Sequence, residues 1–312
     1  MLELATIDNK SAISRANGLQ QYFAEFERWL DVSKSSAKTY KAGVKALFFW
    51  QAQNGVMQPT SADIIAFKDA LKNEGKTDST IATYLAGVKA FFKWLEERGF
   101  YANIAARVKR PKISQEPKRD ALTVKQLRQV ISTAAGAGLQ HLRNKAILTL
   151  VSSCGLRTIE VTRLTLEDLR IKNGQKVLYI HGKGDNKTFI PLPGIAARAI
   201  ETYLALRGKT LKNAPLFASI STNGTAGKAL SSRSISYICK QALIQAGFNS
   251  RRITAHSLRH SVATEALRYG ASLHSVQLYL RHKKIETTLI YAHEIEQEQN
   301  ECCSLLNRLL SA

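Results

Sequence analysis

Apolar positions in residues 13 to 105 recur mostly at spacings of three and four, the period of an amphipathic helix. The stretch TSADIIAFKDALKNEG is typical, with Ser61 as the predicted N-cap and Gly75 as the predicted stop. Two further stretches, TYKAGVKALFFW (39–50) and TYLAGVKAFFKW (83–94), are nearly the same sequence. Two copies are too few for a solenoid, so the pattern predicts a small bundle containing two similar helices.

The helical periodicity stops in VKRPKISQEPKRDALT, which is rich in proline and charge and is typical of a linker. After it, Thr123 and Gln126 have the spacing of a capping box, which predicts the start of another helix. The resulting organisation is a helical domain over 1–112, a linker over 113–120 and a second domain over 121–312.

The second domain is also predicted to be mostly helical, so the fold class is mainly α with one small antiparallel sheet. KVLYIHG and KTFIPLP flank the polar turn GKGDN, which predicts a β-hairpin. Helices are predicted to begin near residues 194, 231, 256, 272 and 284. Gly270 is well placed to end the third of these.

The net charge of the chain indicates which class of partner it binds. The sequence has 312 residues, with 45 Lys and Arg against 24 Asp and Glu, a formal net charge of +21 spread along its length. A merely basic surface is one explanation, but a polyanion such as nucleic acid is favoured. The longest apolar run, AILTLVSSCGL, is too short for a membrane span, and the opening residues do not resemble a signal peptide.

The four cysteines have no metal-ligand spacing, and two of them are adjacent: Cys154, Cys239, Cys302 and Cys303. We therefore expect reduced thiols in a cytosolic protein.

The motif AHSLRH carries the first candidate chemistry, because His256, Arg259 and His260 share one helix face. Such a face requires an anion, a metal or a hydrogen-bond network. A zinc site is disfavoured, since no Glu follows His256 and Arg259 would repel the cation. The chain also lacks GxxxxGK[ST], so no ATP site is predicted. We expect neither metal nor cofactor.

Three other motifs of the second domain contain candidate residues, each with an ordinary structural explanation. Arg157 in SCGLRTIEV could be solvated, and Lys183 in HGKGDNK could be an exposed turn lysine. In LRHKKIETTLIYAH, His282 could be a core histidine and Tyr291 a half-buried aromatic.

Together these motifs resemble the tyrosine recombinase family of phage integrases and Xer-type recombinases. The resemblance lies in their order: Arg in GLRxxE, Lys in GKG, HxxRH, then His and Tyr nine residues apart. It covers roughly residues 121 to 293, and the helical first half is similar to the family's core-binding domain in size and character.

The resemblance implies a strand-cleavage chemistry on residues of this chain. Arg157 and Arg259 match the arginines that hold the scissile phosphate, where bidentate guanidinium contacts suit its oxygens. Tyr291 matches the nucleophile that forms a 3′-phosphotyrosyl link. Lys183 matches the general acid for the 5′-oxygen. A free tyrosine has a pKa of about 10, so we expect the clustered positive charge to help it react near neutrality.

The remaining matches support that centre. His256 and His282 match donors to phosphate oxygens, while Glu160 and His260 match positions that orient the arginine and histidine. One departure stands beside them. Arg281 occupies the place where the family commonly has Gly, in LGH, and it would either add a DNA contact or alter the packing of the preceding helix turn.

The expected function is a site-specific DNA recombinase acting at core sites in duplex DNA without metal or ATP. The resemblance implies a homo-tetramer on paired sites, with the tail after Tyr291 docked on a neighbouring subunit. The alternative for the tail is a helix that closes its own domain. Without DNA we expect a monomer or weak dimer, located in the cytoplasm with the nucleoid. Two other functions compete: a type IB topoisomerase and a catalytically idle DNA-binding regulator.

Overall fold

The computed structural model describes residues 18–112, 120–182, 187–221, 224–298 and 301–310, and the chain divides into two compact units, Met1–Ser114 and Gln115–Ala312. Nearly all of the predicted linker lies outside the described residues. In the part of the chain that is described, no helix has both the length and the apolar character needed to cross a membrane.

The first unit is helical. Its elements are a 3₁₀ turn (Gln20–Tyr22) and helices α1 (Phe23–Trp29), α2 (Lys34–Gln53), α3 (Ser61–Asn73) and α4 (Asp78–Glu97). Aromatic side chains fill its core around the fully buried Phe91. The Phe91 ring makes edge contacts with Phe26 and Phe48, at centroid distances of 5.1 and 5.6 Å. Aromatic burial on this scale is a major source of folding free energy.

The sequence repeat forms a close crossing of α2 and α4. A Cβ on Gly43 would overlap the backbone of Tyr84, and a Cβ on Gly87 would overlap the backbone of Tyr40. Tyr40 and Gly43 occupy the same places in the first copy as Tyr84 and Gly87 in the second. Each copy therefore supplies the glycine that accepts the other helix, because only glycine permits backbones to approach this closely.

The start of α3 corrects one prediction. The N-cap is Thr60, not Ser61: the Thr60 backbone N–H and hydroxyl both donate to Asp63 Oδ2, at 2.7 Å each, in a capping box. Thr60 has the extended backbone of a cap, and Asp63 sits three residues later. Ser61 is the first helical residue, and its hydroxyl donates to the Ile104 carbonyl at 2.7 Å.

The second unit is also mainly helical, which confirms the predicted fold class. Its helices are α5 (Val124–Ser132), α6 (Leu139–Cys154), α7 (Thr158–Arg163), α8 (Gly194–Arg207), α9 (Ser232–Gln245), α10 (Ala255–Arg268), α11 (Leu273–Leu280), α12 (Glu286–Glu298) and α13 (Cys302–Leu310). The capping box of Thr123 and Gln126 is confirmed. Gly270, with φ +89°, follows the end of α10 as predicted.

The sheet has one strand more than the predicted hairpin. Strands β1 (Leu169–Lys172), β2 (Gln175–His181) and β3 (Lys187–Pro191) are antiparallel in that order. The hairpin of β2 and β3 is confirmed, while β1 was missed. Asn173 and Gly174, with φ of 48° and 75°, join β1 to β2, and this Asn-Gly pair is a strong hairpin signal.

Helix α6 is central to the second unit, and its C-terminal half, from Ala146 to Cys154, is buried on nearly all sides. It packs mainly against α8 and α10. Gly155, which follows the C-terminal end of α6, is buried next to the side chains of Leu280 on α11 and of Val262 and Arg259 on α10.

Candidate active site

The turn between α6 and α7 places the first arginine. Gly155 ends α6 in the left-handed conformation, with φ +58°, and a Cβ there would overlap the Leu280 side chain. Glycine at this position therefore lets the end of α11 approach the end of α6. Two residues later Arg157 is the N-cap of α7, and its side chain is 38% exposed. This arginine is accessible from solvent.

The Glu160 carboxylate binds both the backbone N–H and the guanidinium group of Arg157. Its Oε2 accepts the Arg157 backbone N–H at 2.8 Å, and its Oε1 accepts Arg157 Nη1 at 2.8 Å. Burial of Glu160 would raise its pKa, but the charges of Arg281 and Arg259 and the Arg157 hydrogen bonds outweigh burial, so the pKa is lowered. The carboxylate stays ionised and fixes the start of α7.

Arg259 is buried and joins two helix ends. Its Nη1 donates to the Gly155 carbonyl and its Nη2 to the Leu280 carbonyl. Burial, with the nearby charges of Arg157 and Arg281, lowers the Arg259 pKa to about 9, against the opposing effect of Glu160. A buried guanidinium held mainly by carbonyls retains a charge that an anion would stabilise.

His282 lies just after α11 and is buried. Its Nδ1 is 2.9 Å from the hydroxyl of the fully buried Thr288. Burial is the largest cause that lowers the His282 pKa to about 4, and the charges of Arg259, Arg157 and Arg281 act in the same direction. The imidazole is therefore neutral at pH 7.

Tyr291 is half-buried on α12 between two histidine rings. Its ring centroid is 4.7 Å from that of His260 and 6.2 Å from that of His282. Burial raises the Tyr291 pKa above its usual value, although the charges of Arg259 and Arg157 lower it in part. The arginine charges act on the Tyr291 pKa in the expected direction, but in the DNA-free protein burial outweighs them and the net shift is upward.

His260 packs behind Tyr291. Its Nε2 lies 3.4 Å from Glu294 Oε2 on α12, and burial lowers the His260 pKa to about 4. His256 is exposed in the first turn of α10. The shared face of the AHSLRH motif thus runs from the surface at His256 into the interior at Arg259 and His260. The described part of the chain contains no group of three His, Cys, Asp or Glu side chains that could hold a metal ion.

Lys183 lies outside the described residues, but the strand that leads to it is anchored. His181 Nε2 is 2.8 Å from Oδ1 of the buried Asp168, and Arg163 Nη1 donates to the Gly182 carbonyl at 3.0 Å. Motif reasoning did not single out Asp168 or Arg163.

The contacts of Arg281 were also not predictable from the motifs. Its side chain is 9% exposed, and its Nη2 donates to Glu160 Oε2 at 2.9 Å. Its Nη1 donates to the Tyr279 carbonyl at 2.5 Å. Of the two alternatives for this departure, burial favours altered packing over an added DNA contact.

Comparison with family models matches most of the chain. Residues 120–298 match the model of the phage integrase family, and residues 19–99 match the phage integrase N-terminal SAM-like domain. The chain is 31% identical over 286 residues to tyrosine recombinase XerD of Halalkalibacterium halodurans, covering 89% of this chain and 93% of that protein. It is 28% identical over 300 residues to XerD of Vibrio cholerae, covering 93% and 97%.

Two solved structures share the fold at low sequence identity. The XerH site-specific recombinase bound to a palindromic difH substrate, a post-cleavage complex, has a TM-score of 0.75 at 19% identity and covers 98% of this chain and 92% of its own. A dimer of lambda integrase residues 75–356 bound to a COC′ core site has a TM-score of 0.66 at 19% identity and covers 86% of this chain and 96% of its own.

Proposed function

The chain belongs to the phage integrase family and is a tyrosine-type site-specific DNA recombinase, and from that premise we propose that it breaks and rejoins duplex DNA by transesterification through Tyr291. The observation that carries this proposal is the convergence of positive charge on one phenol. The charges of Arg259 and Arg157 both act on Tyr291, which stands among side chains from α10, α11 and α12.

The arginines form the phosphate site. Arg157, Arg259 and Arg281 all act on the single carboxylate of Glu160, so positive charge exceeds negative charge in this cluster. A DNA phosphate supplies the missing anion. Arg157 and Arg259 contact its non-bridging oxygens and stabilise the additional charge of the pentacoordinate transition state.

In the cleavage step the Tyr291 oxygen forms a bond to phosphorus as the bond from phosphorus to the 5′-oxygen breaks. The products are a 3′-phosphotyrosyl link and a free 5′-hydroxyl. Because the link conserves the phosphodiester, the reverse reaction rejoins the strand without external energy. The phenol gives its proton to water as its oxygen attacks phosphorus, and the 5′-oxygen takes up the proton that the general acid supplies.

The histidines hold the transferring phosphate. With the Thr288 hydroxyl donating to Nδ1, the neutral His282 carries its proton on Nε2 and donates it to a phosphate oxygen. His256, exposed at the start of α10, donates to a second oxygen. Glu160 orients Arg157, and His260 supports the Tyr291 ring from behind.

Lys183 is proposed as the general acid that protonates the 5′-oxygen leaving group. Lys183→Ala is expected to slow cleavage of an ordinary phosphodiester. A substrate with sulfur in the 5′-bridging position has a better leaving group and should restore the rate. If Lys183→Ala is as slow relative to wild type on the sulfur substrate as on the ordinary substrate, Lys183 is not the acid.

DNA is the proposed partner, and the first unit is proposed to be its core-binding domain. The charge of +21 supports this, and both structural relatives were solved bound to DNA. Affinity for duplex DNA should fall with a log–log salt slope of about 0.9 per neutralised phosphate. A flat response would argue against a backbone-contacting clamp. Because DNA is the proposed substrate, the cytoplasm with the nucleoid is the proposed location.

On paired sites we propose a homo-tetramer in which the tail docks on a neighbouring subunit. Helix α13 supports this, because its leucines Leu305, Leu306, Leu309 and Leu310 are exposed. Deletion of residues 303–312 should leave binding to one site intact but weaken cooperative binding and strand exchange. Full recombination by the truncated protein would contradict this.

The test of the proposed function begins with Tyr291→Phe protein, which binds but does not cleave. This variant selects its core site from random-sequence duplex DNA. Wild-type protein then reacts with a nicked suicide duplex of that site, with EDTA present and no nucleotide added. A covalent complex with wild type, and none with Tyr291→Phe, is expected. Equal complexes with both would refute the proposal.

A type IB topoisomerase reading is weaker, because the named relatives are recombinases. It predicts relaxation of any supercoiled plasmid, whereas the recombinase cleaves at its own site. An idle regulator would lose nothing in Tyr291→Phe.

A further inference from the structure

Arg281 holds an unusual backbone conformation at the end of α11. Its φ of +57° places it in the left-handed region, which the described residues share outside glycine only with Asn173 of the hairpin turn. For an arginine this conformation is unfavourable, because it brings Cβ close to the following carbonyl oxygen. Its Nε is also buried, with no hydrogen-bond partner in the described part of the chain. Such costs persist where the surroundings or a functional requirement enforce them.

What Arg281 gains is a bond to the carboxylate that holds Arg157. Glu160 Oε2 accepts both the Arg157 backbone N–H, at 2.8 Å, and Arg281 Nη2, at 2.9 Å. The Arg157 side chain is the most exposed of this trio, at 38%, against 9% for Arg281 and 6% for Glu160. Part of the Arg157 guanidinium is therefore accessible to solvent, whereas the Nη groups of Arg281 donate to acceptors within the protein.

The same turn also contains His282 and the carbonyl group that accepts a hydrogen bond from Arg259. The Leu280 carbonyl accepts from Arg259, Arg281 reaches Glu160 at the start of α7, and His282 follows directly. The His282 backbone N–H donates to the Gln277 carbonyl at 3.0 Å, which closes the turn. The bond that the turn accepts from Arg259 and the bond that Arg281 donates to Glu160 thus fix the segment that carries His282.

We propose that Arg281 is a positioning residue for strand cleavage: by clamping Glu160 to the end of α11, it sets Arg157 and His282 in one fixed relation around the scissile phosphate. This inference rests on the proposed function. It assigns Arg281 no contact with DNA, because its side chain is buried and its paired donors face Glu160 and the Tyr279 carbonyl.

Three substitutions separate the side chain from the backbone conformation. Arg281→Gly removes the side chain and suits a positive φ, Arg281→Met retains its bulk without charge, and Arg281→Lys retains the charge without the fork. With the selected suicide duplex as probe, we expect Gly and Met variants to cleave about 10–100-fold slower, because small misplacement of reacting groups has effects of this size. Their Kd for DNA should change by less than about threefold, and Lys should recover part of the rate.

The pH profile provides a readout that a purely structural role would not move. The charged or titratable groups around Glu160 are Arg157 at the start of α7, Arg259 on α10, and Arg281 and His282 at the end of α11. Arg281 is the largest of the influences that lower the Glu160 pKa. Its removal raises that pKa, so cleavage by Arg281→Met should decline at a higher pH than cleavage by wild type as the medium is acidified.

Glu160→Gln completes a double-mutant cycle. If Arg281 acts through Glu160, the double variant Glu160→Gln with Arg281→Met cleaves no more slowly than Glu160→Gln alone. Three results would overturn the inference: wild-type rate and pH profile in Arg281→Met, a loss of DNA affinity that accounts for its slower cleavage, or multiplying losses in the double variant. Absence of covalent complex with wild type would instead refute the proposed function.

Discussion

The two units bury different kinds of side chain. In the described residues of the first unit Gln51 is the one buried polar side chain, and the core is aromatic and aliphatic. The second unit buries charged and titratable groups as well: Arg143, Glu160, Asp168, Arg259, His260, Glu265 and His282. Burying such groups is unfavourable unless each finds a partner.

This difference indicates that the contrasted region of the first unit serves stability, whereas that of the second unit serves chemistry. At the crossing of α2 and α4, Gly43 and Gly87 allow close packing against the Tyr84 and Tyr40 backbones, and these contacts involve no charged group. At the ends of α6 and α11, Arg259 is held by carbonyls with its pKa lowered to about 9, an arrangement that an arriving phosphate would stabilise. The first region should therefore respond to changes in volume and the second to changes in charge.

The largest effect is expected from Arg259→Ala. Loss of a preorganised donor to the transition state lowers cleavage by about 10²–10³-fold. Single-turnover cleavage of the suicide duplex measures this. Arg259→Lys keeps the charge but loses the bidentate geometry, so it should recover only part of the rate. Cleavage within a factor of two of wild type in Arg259→Ala would remove the arginine from the chemistry.

The next effect is a pH dependence of stability that belongs to the second unit. The His282 pKa is about 4 in the folded protein, against about 6.5 unfolded, so below pH 6.5 the unfolded chain binds the proton first. The free energy of unfolding should fall between about pH 7 and 4, by on the order of 3 kcal/mol from this residue.

Urea denaturation across that pH range checks the prediction. His282→Asn should reduce the slope, while buried His260 maintains part of it. The exposed His274→Asn serves as the control and should leave the slope unchanged. An identical pH dependence in His282→Asn and wild type would contradict the assignment.

A purely steric effect is expected in the first unit. Gly87→Ala places a methyl group against the Tyr40 backbone, and overpacking of this kind lowers the free energy of unfolding by about 1–3 kcal/mol. Gly194→Ala is the matched control, because it adds a Cβ in open surroundings near the flexible end of Arg198. Thermal unfolding distinguishes the two. Equal melting temperatures would mean that α2 and α4 do not cross this closely.

The smallest effect is expected from an exposed ion pair of the first unit. Lys93 Nζ is 3.6 Å from Glu97 Oε1, with both side chains largely exposed. Lys93→Ala should change the free energy of unfolding by less than about 0.5 kcal/mol. A loss above about 1 kcal/mol in chemical denaturation would show that surface charge, too, stabilises this unit.

The sequence predicted those features whose signals are local. The capping box at Thr123, the β2–β3 hairpin and the stop at Gly270 each depend on residues within a few positions. Strand β1 had an equally local signal, the Asn173–Gly174 turn, and reading it would have completed the sheet. The cap of α3 was misplaced by one residue, because Ser61 and Thr60 are both acceptable caps and Asp63 decides between them.

Motif order proposes which residues form the site, but the sequence does not predict the pKa values or the long-range partners of those residues. Motif order predicts Arg157, Arg259 and Tyr291 as site residues, but the partner of Arg281 lies 121 positions away in Glu160, and no local pattern reveals it. The direction of the Tyr291 pKa shift depends on the balance between burial and the arginine charges, and only the folded arrangement sets that balance.

The most direct measurement of the central claim is peptide mapping of the complex trapped on the suicide duplex. After digestion of protein and DNA, mass spectrometry should find a nucleotide joined through its 3′-phosphate to the peptide that contains Tyr291. A nucleotide attached at any other residue, or through a 5′-phosphate, would contradict the account.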